Sequence, residues 1–125
     1  MSALKKSRKE ILMSVEFDIE FALSNLDHDT DIYAAVVDQY FISTPPMCNE
    51  MRTAAKSGDW ETFRRHAHSI KSSSRTIGGM ALGDLAEQIE LDESTDLHHA
   101  LEQVDMIEKC IHQLQVDANS AVAKL

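Results

Sequence analysis

The spacing of apolar residues is the feature that most restricts what this chain can fold into. Apolar side chains recur at intervals of three and four residues, whereas the alternation that marks a β-strand never persists. Intervals near 3.6 residues place apolar side chains on one face of a helix. The clearest stripe consists of Leu97, Leu101, Val104, Ile107, Ile111, Leu114 and Ala118. We therefore predict an all-α protein.

Length and composition allow one helical domain. The chain has 125 residues, of which 43% are hydrophobic, and it contains only four Gly and two Pro. That is enough to bury a single core. We predict one domain over residues 15–125, preceded by a basic segment over residues 1–14 that is partly helical or frayed. Because short connections favour antiparallel neighbours, the expected architecture is an antiparallel up-and-down four-helix bundle with an additional N-terminal helix.

Capping residues and helix breakers predict the helices of the first half. An N-terminal helix is expected over residues 15–26, and a second helix over residues 31–41. Thr44 followed by Pro45 is typical of a helix start, since a threonine can cap the helix and proline suits its first position. A third helix is therefore expected from Pro45. It should end at Gly58, which can adopt the left-handed conformation that closes a helix.

The second half divides in the same way. Asp59 is the expected N-cap of a helix over residues 60–76. The glycine pair at 78–79 should separate this helix from the next one, over residues 80–91. A long last helix should follow from Leu97.

The charge of the chain is negative overall and positive at one place. Twelve basic and twenty-one acidic residues give a net charge of −9, which disfavours nucleic acid and anionic membranes as main partners. From residue 76 onward there are ten acidic and two basic residues. Over residues 61–79, in contrast, four basic residues stand against Glu61 alone, a net charge of +3. The positive patch is therefore local to one predicted helix.

Several patterns that would indicate other classes of protein are missing. Cys48 and Cys110 are far apart without a C-x-x-C motif, and the N-terminal sequence has no apolar signal-peptide region, so we expect a cytoplasmic protein. The phosphate-binding motifs G-x-x-x-x-G-K-[ST] and G-x-G-x-x-G do not occur, so no ATP site and no autokinase activity are expected. A metal-binding bundle using His98, His99 and His112 is a weaker alternative, and we predict no metal site.

The helix over residues 60–76 carries a candidate reactive histidine. A rotation of about 100° per residue places His68 about 130° from the centre of the apolar stripe, so its imidazole should face solvent. Arg64, Lys71 and Arg75 lie on the same outer side. An imidazole nitrogen is a nucleophile, and cations favour its neutral form and neutralise an incoming phosphoryl group. We interpret His68 as a phosphoryl acceptor, with these cations contacting the phosphoryl oxygens. The alternative is that they only solvate the outer face.

A longer pattern favours the phosphoryl acceptor. The chain reads AHSIKSS at residues 67–73 and IGG at residues 77–79, followed by Leu82, Leu85, Ala86, Ile89 and Glu90. This pattern resembles the histidine-containing phosphotransfer (HPt) family, and the resemblance extends over most of the chain. It implies a four-helix bundle whose exposed histidine exchanges a phosphoryl group with the aspartate of a receiver domain. His68 matches the phosphorylated position and Lys71 the basic residue beside it, whereas Ser72 stands where glycine is common.

The resemblance also implies a function and partners. The chain is expected to be a stand-alone, monomeric phosphocarrier of a multistep relay, acting with response-regulator receivers and a hybrid sensor histidine kinase. It should bind no cofactor itself, since the receiver brings the Mg²⁺. Arg65, Ser72 and Gly78 are expected to contact the docked receiver. An alternative stays open: a helical adaptor that binds and inhibits a receiver or kinase without carrying phosphate.

Overall fold

A computed structural model describes residues 17–125. Its helices are α1 (Ile19–Ser24), α2 (Thr30–Ser57), α3 (Trp60–Thr76), α4 (Met80–Leu91) and α5 (Leu97–Ala123). All regular secondary structure within residues 17–125 is helical, which confirms the all-α prediction. The predicted basic segment 1–14 and the start of the predicted N-terminal helix at Val15 lie outside the described residues.

The four longer helices form the predicted bundle. Helix α2 packs against α3 and α5, and α4 packs against the same two helices, so the four enclose one core. Contacts between α2 and α3 show that they run in opposite directions, because Glu50 near the end of α2 meets His66 near the start of α3. Tyr40, earlier in α2, meets Ser74 near the end of α3. Helix α1 packs against α2 as the additional N-terminal helix.

The predicted break between two helices near Pro45 is wrong, since α2 runs without interruption through Pro45 and Pro46. The reason is that one buried stripe continues across the prolines. This stripe consists of Tyr33, Val37, Tyr40, Thr44, Cys48 and Met51. Thr44 is 1% exposed and belongs to the core instead of capping a helix. Both prolines lie on the exposed face, so the amide hydrogen bonds that they remove are lost beside solvent, and packing outweighs that cost.

The predicted limits of α3 are confirmed, and they fix which of its faces is buried. Gly58 ends α2 with a left-handed φ of 75°, and the Asp59 carboxylate caps α3 by accepting from the Thr62 amide. The buried residues of α3 are Phe63, Ala67, Ile70 and Ser74. The Ser74 hydroxyl lies 2.6 Å from the Tyr40 hydroxyl, and the Tyr33 hydroxyl donates to the Ile77 carbonyl. These contacts hold the end of α3 against α2, and His68 points outward as a result.

Candidate functional site

His68 lies on the outer face of α3, with its side chain 57% exposed. Its Nδ1 atom is 2.7 Å from Oε2 of Glu90 on α4. The other oxygen of the same carboxylate, Oε1, accepts a hydrogen bond of 2.8 Å from the Lys71 ammonium. Glu90 therefore connects the candidate phosphoryl acceptor to the lysine one turn further along α3.

The pairing of α3 with α4 explains why these side chains meet. The two helices run in opposite directions from the turn at Gly79, and His68 and Glu90 are each eleven residues from that glycine. Residues at equal distances from the turn of a helical hairpin lie side by side. The sequence around His68 does not by itself identify Glu90 as its partner. The contact could have been predicted from one pattern: His68 on a basic helix and Glu90 on an acidic helix lie at equal distances from the glycine turn that joins the two helices.

The Glu90 carboxylate determines which nitrogen of His68 carries the hydrogen and which keeps a lone pair. The Lys71 ammonium, and after it the His68 imidazole, hold the pKa of the Glu90 carboxyl below its usual range. An ionised carboxylate only accepts hydrogen bonds, so the Nδ1 atom of His68 must be the one that donates. In the neutral ring, the Nε2 atom then keeps its lone pair. Nε2 has no hydrogen-bond partner among residues 17–125 and is free to act as the nucleophile.

The cations around His68 are not all unpaired, as their spacing along α3 had suggested. Two of them form ion pairs with carboxylates of α4. Lys71 is bound to Glu90. The Arg75 guanidinium binds Asp84 at 2.7 Å and Glu87 at 3.1 Å, and these two carboxylates raise its pKa. On the side that faces α4, His68 is thus bordered by ion pairs and not by unpaired positive charge.

Two of the three residues expected to contact a receiver are exposed. Arg65 lies near the start of α3, and Ser72 lies one turn beyond His68. Gly78 is buried, and its contact with a receiver stays a prediction. A Cβ atom on Gly78 would lie 2.7 Å from the backbone oxygen of Asp18, and the Asp18 amide donates to the Gly78 carbonyl at 2.7 Å. Gly78 therefore holds the start of α1 against the bundle.

A surface depression of about 450 Å³ lies next to His68. Its lining residues are Glu61, Arg64, Arg65, His68, Glu90 and Leu91. Leu91, the last residue of α4, is 71% exposed and contributes an apolar side chain beside the histidine. The position of Leu91 beside His68 could not be predicted from the sequence, because it depends on how α3 and α4 pack.

Four other histidines lie away from the site around His68. His66 is 17% exposed, and its Nε2 atom is bound to Glu50 at 2.8 Å. His98 and His99 pair with Glu102 and Asp92 respectively. His112 lies about 20 Å further along α5 by the rise of 1.5 Å per residue, so the three do not converge. Within the described part of the chain, no group of three or more His, Cys, Asp or Glu side chains could hold a metal ion.

Comparison with known protein families matches residues 35–117 to the Hpt domain. No curated protein matches the chain, and no solved structure matches it. None of the helices within residues 17–125 is both long and apolar enough to cross a membrane. The match spans most of the helical bundle and includes His68, Lys71 and Glu90. The chain therefore belongs to the Hpt domain family, whose members take part in histidine phosphotransfer in phosphorelays and interact with response-regulator receivers and kinases.

Proposed function

We propose that His68 carries the phosphoryl group of a multistep phosphorelay in the cytoplasm. It would take the group from the aspartyl phosphate of one receiver domain and pass it to another response regulator. The observation that carries this proposal is the exposed imidazole whose Nδ1 atom is bound to an ionised carboxylate. Such a bond orients the ring and leaves Nε2 ready to attack.

The transfer step follows from this geometry. The lone pair of Nε2 attacks the phosphorus atom, the bond between phosphorus and the receiver's aspartate oxygen breaks, and its electron pair returns to that carboxylate. The imidazole gains positive charge as the new bond forms. Glu90 accepts a hydrogen bond from Nδ1, so it stabilises that charge without having to move. Passing the group on reverses these steps, and the receiver supplies both the aspartate and the Mg²⁺.

The direct test is transfer from a phosphorylated receiver domain to this protein. Intact-mass measurement should show the gain of one phosphoryl group, and the modification should be lost in acid, as expected for a phosphorylated imidazole. A protein that binds the receiver but never gains this mass would instead be the inhibitory adaptor, and the proposed carrier function would be wrong.

Replacing Glu90 with Gln should slow transfer by about tenfold. A glutamine has one acceptor oxygen, so it cannot accept from Nδ1 of His68 and from Lys71 through two oxygens, and it brings no charge to stabilise the ring. The rate constant should be measured under single-turnover conditions from a phosphorylated receiver. Because the pKa of Glu90 is lowered, its ionised form is present above the ordinary value of about 4.3 and is lost as pH falls through the folded-state value. The difference between the two proteins should therefore persist throughout neutral pH.

Glu87→Gln is the matched control for this experiment. It removes the same charge from the same helix, but Glu87 binds Arg75 and not His68. Its transfer rate should stay within about twofold of the wild-type rate. Equal rates for wild type and Glu90→Gln would contradict the proposed role of Glu90.

A further inference from the structure

Arg64 differs from the other two cations predicted to contact a phosphoryl group. Lys71 and Arg75 are both bound to carboxylates of α4. The Arg64 side chain has no ion pair to any residue from 17 to 125, and its Nε atom is buried without a hydrogen-bond partner. A buried donor without a partner is costly. A partner that binds Arg64 in another state of the protein would remove this cost.

The position of Arg64 indicates what that partner is. Arg64 precedes His68 by four residues on α3, so the two side chains are neighbours on the helix surface. Both line the depression of about 450 Å³ described above. Since Glu90 holds Nδ1, a phosphoryl group on His68 must be attached to Nε2, on the side of the ring away from Glu90. A long guanidinium side chain one turn away can reach such a group.

We propose that Arg64 binds the phosphoryl oxygens of phosphorylated His68 and stabilises that state. This inference rests on the proposed phosphocarrier function. A guanidinium group presents several N–H donors in one plane, which suits the oxygens of a phosphoryl group. Arg64 is half-buried, so its side chain has less conformational freedom to lose when the contact forms. No covalent change in Arg64 is involved.

Arg75 does not fit this role. It follows His68 by seven residues, which is about 10 Å along the helix axis. Its guanidinium is also held by Asp84 and Glu87, and it would have to leave both carboxylates to reach a phosphoryl group. Arg75 therefore provides the matched control, since it carries the same charge on the same helix.

The test is the equilibrium of phosphoryl exchange with a receiver domain. Wild-type protein, Arg64→Gln and Arg75→Gln are each mixed with the same phosphorylated receiver, and the ratio of phosphorylated carrier to phosphorylated receiver is measured once it is constant. This ratio depends on the stability of the two phosphorylated proteins and not on how fast they dock. We expect Arg64→Gln to lower the ratio by about tenfold and Arg75→Gln to change it by less than twofold. Arg64→Lys should give an intermediate ratio because it keeps the charge.

The possible outcomes separate this inference from the function on which it rests. If the wild-type protein takes no phosphoryl group from the receiver, both are wrong. If the wild type is phosphorylated and Arg64→Gln reaches the same ratio, only the assignment of Arg64 is overturned. A slower approach to an unchanged ratio would also overturn it, since that result would make Arg64 a docking residue. Circular dichroism of the four proteins should be identical, which excludes unfolding as the cause of a lowered ratio.

Discussion

Replacing His68 with Gln is expected to abolish phosphoryl transfer to this protein, with a loss of at least about a thousandfold. The reason is chemical: the nitrogen of a glutamine amide shares its lone pair with the carbonyl group and is not a nucleophile. The side chain is 57% exposed, so the substitution leaves the core intact. The measurement is the amount of acid-labile phosphate transferred from a phosphorylated receiver at fixed time.

His66→Gln is the control for this experiment, because it removes a histidine from the same helix two residues away. His66 is 17% exposed, and Glu50 holds its Nε2 atom at 2.8 Å, so this nitrogen is not available to a docked receiver. The variant should accept phosphate at close to the wild-type rate. Transfer to His68→Gln, or an equal loss in both variants, would contradict the assignment of His68.

Local signals predicted the parts of the fold that local structure determines. The start of α3 follows from Gly58 and Asp59, whose conformations and capping bonds involve only residues close in sequence. Proline is also a local signal, and at Pro45 it gave a wrong helix boundary. The burial of Thr44 depends on contacts with the rest of the bundle. Such tertiary contacts outweigh local preference, and the sequence pattern near a proline does not reveal them.

The same distinction explains what could be predicted of the candidate site. The exposure of His68 depends on the rotation of one helix relative to its own apolar face, so helical geometry alone was sufficient. The contact with Glu90 depends on how α3 and α4 lie side by side. The partners of Arg75 depend on it too. The charges along α3 alone therefore suggest more positive charge around His68 than the folded bundle has, because the compensating carboxylates lie on α4.

This balance of charge has a consequence for recognition. The chain carries a net charge of −9. The ion pairs between α3 and α4 neutralise two of the four basic side chains that make the sequence of α3 positive. Arg64 and Arg65 remain as cations at the depression beside His68. A receiver's acidic site would then be attracted toward the start of α3, on an otherwise acidic surface. We therefore expect the orientation of a docked receiver to depend on few charges and to be sensitive to ionic strength.

The largest expected loss of stability from a single methyl group is at Gly78. Gly78→Ala should lower the free energy of unfolding by about 2–4 kcal/mol, measured by chemical denaturation. Gly78 has a φ of 98°, which residues with a Cβ atom rarely adopt. The added Cβ would also lie 2.7 Å from the backbone oxygen of Asp18. Since backbone atoms cannot turn away as a flexible side chain can, α1 must shift and the hydrogen bond from Asp18 to Gly78 should weaken. Faster amide exchange at Asp18 would report this shift.

Gly58→Ala separates the two causes of that loss. Gly58 also has a positive φ, of 75°, but nothing lies within 4 Å of the position that a Cβ atom would take. This variant should therefore lose only about 1 kcal/mol, the cost of the backbone conformation alone. Equal losses in the two variants would mean that the close approach of Asp18 contributes nothing. A larger loss at Gly78 would show that the turn between α3 and α4, which aligns His68 with Glu90, is also the place where α1 is held against the bundle.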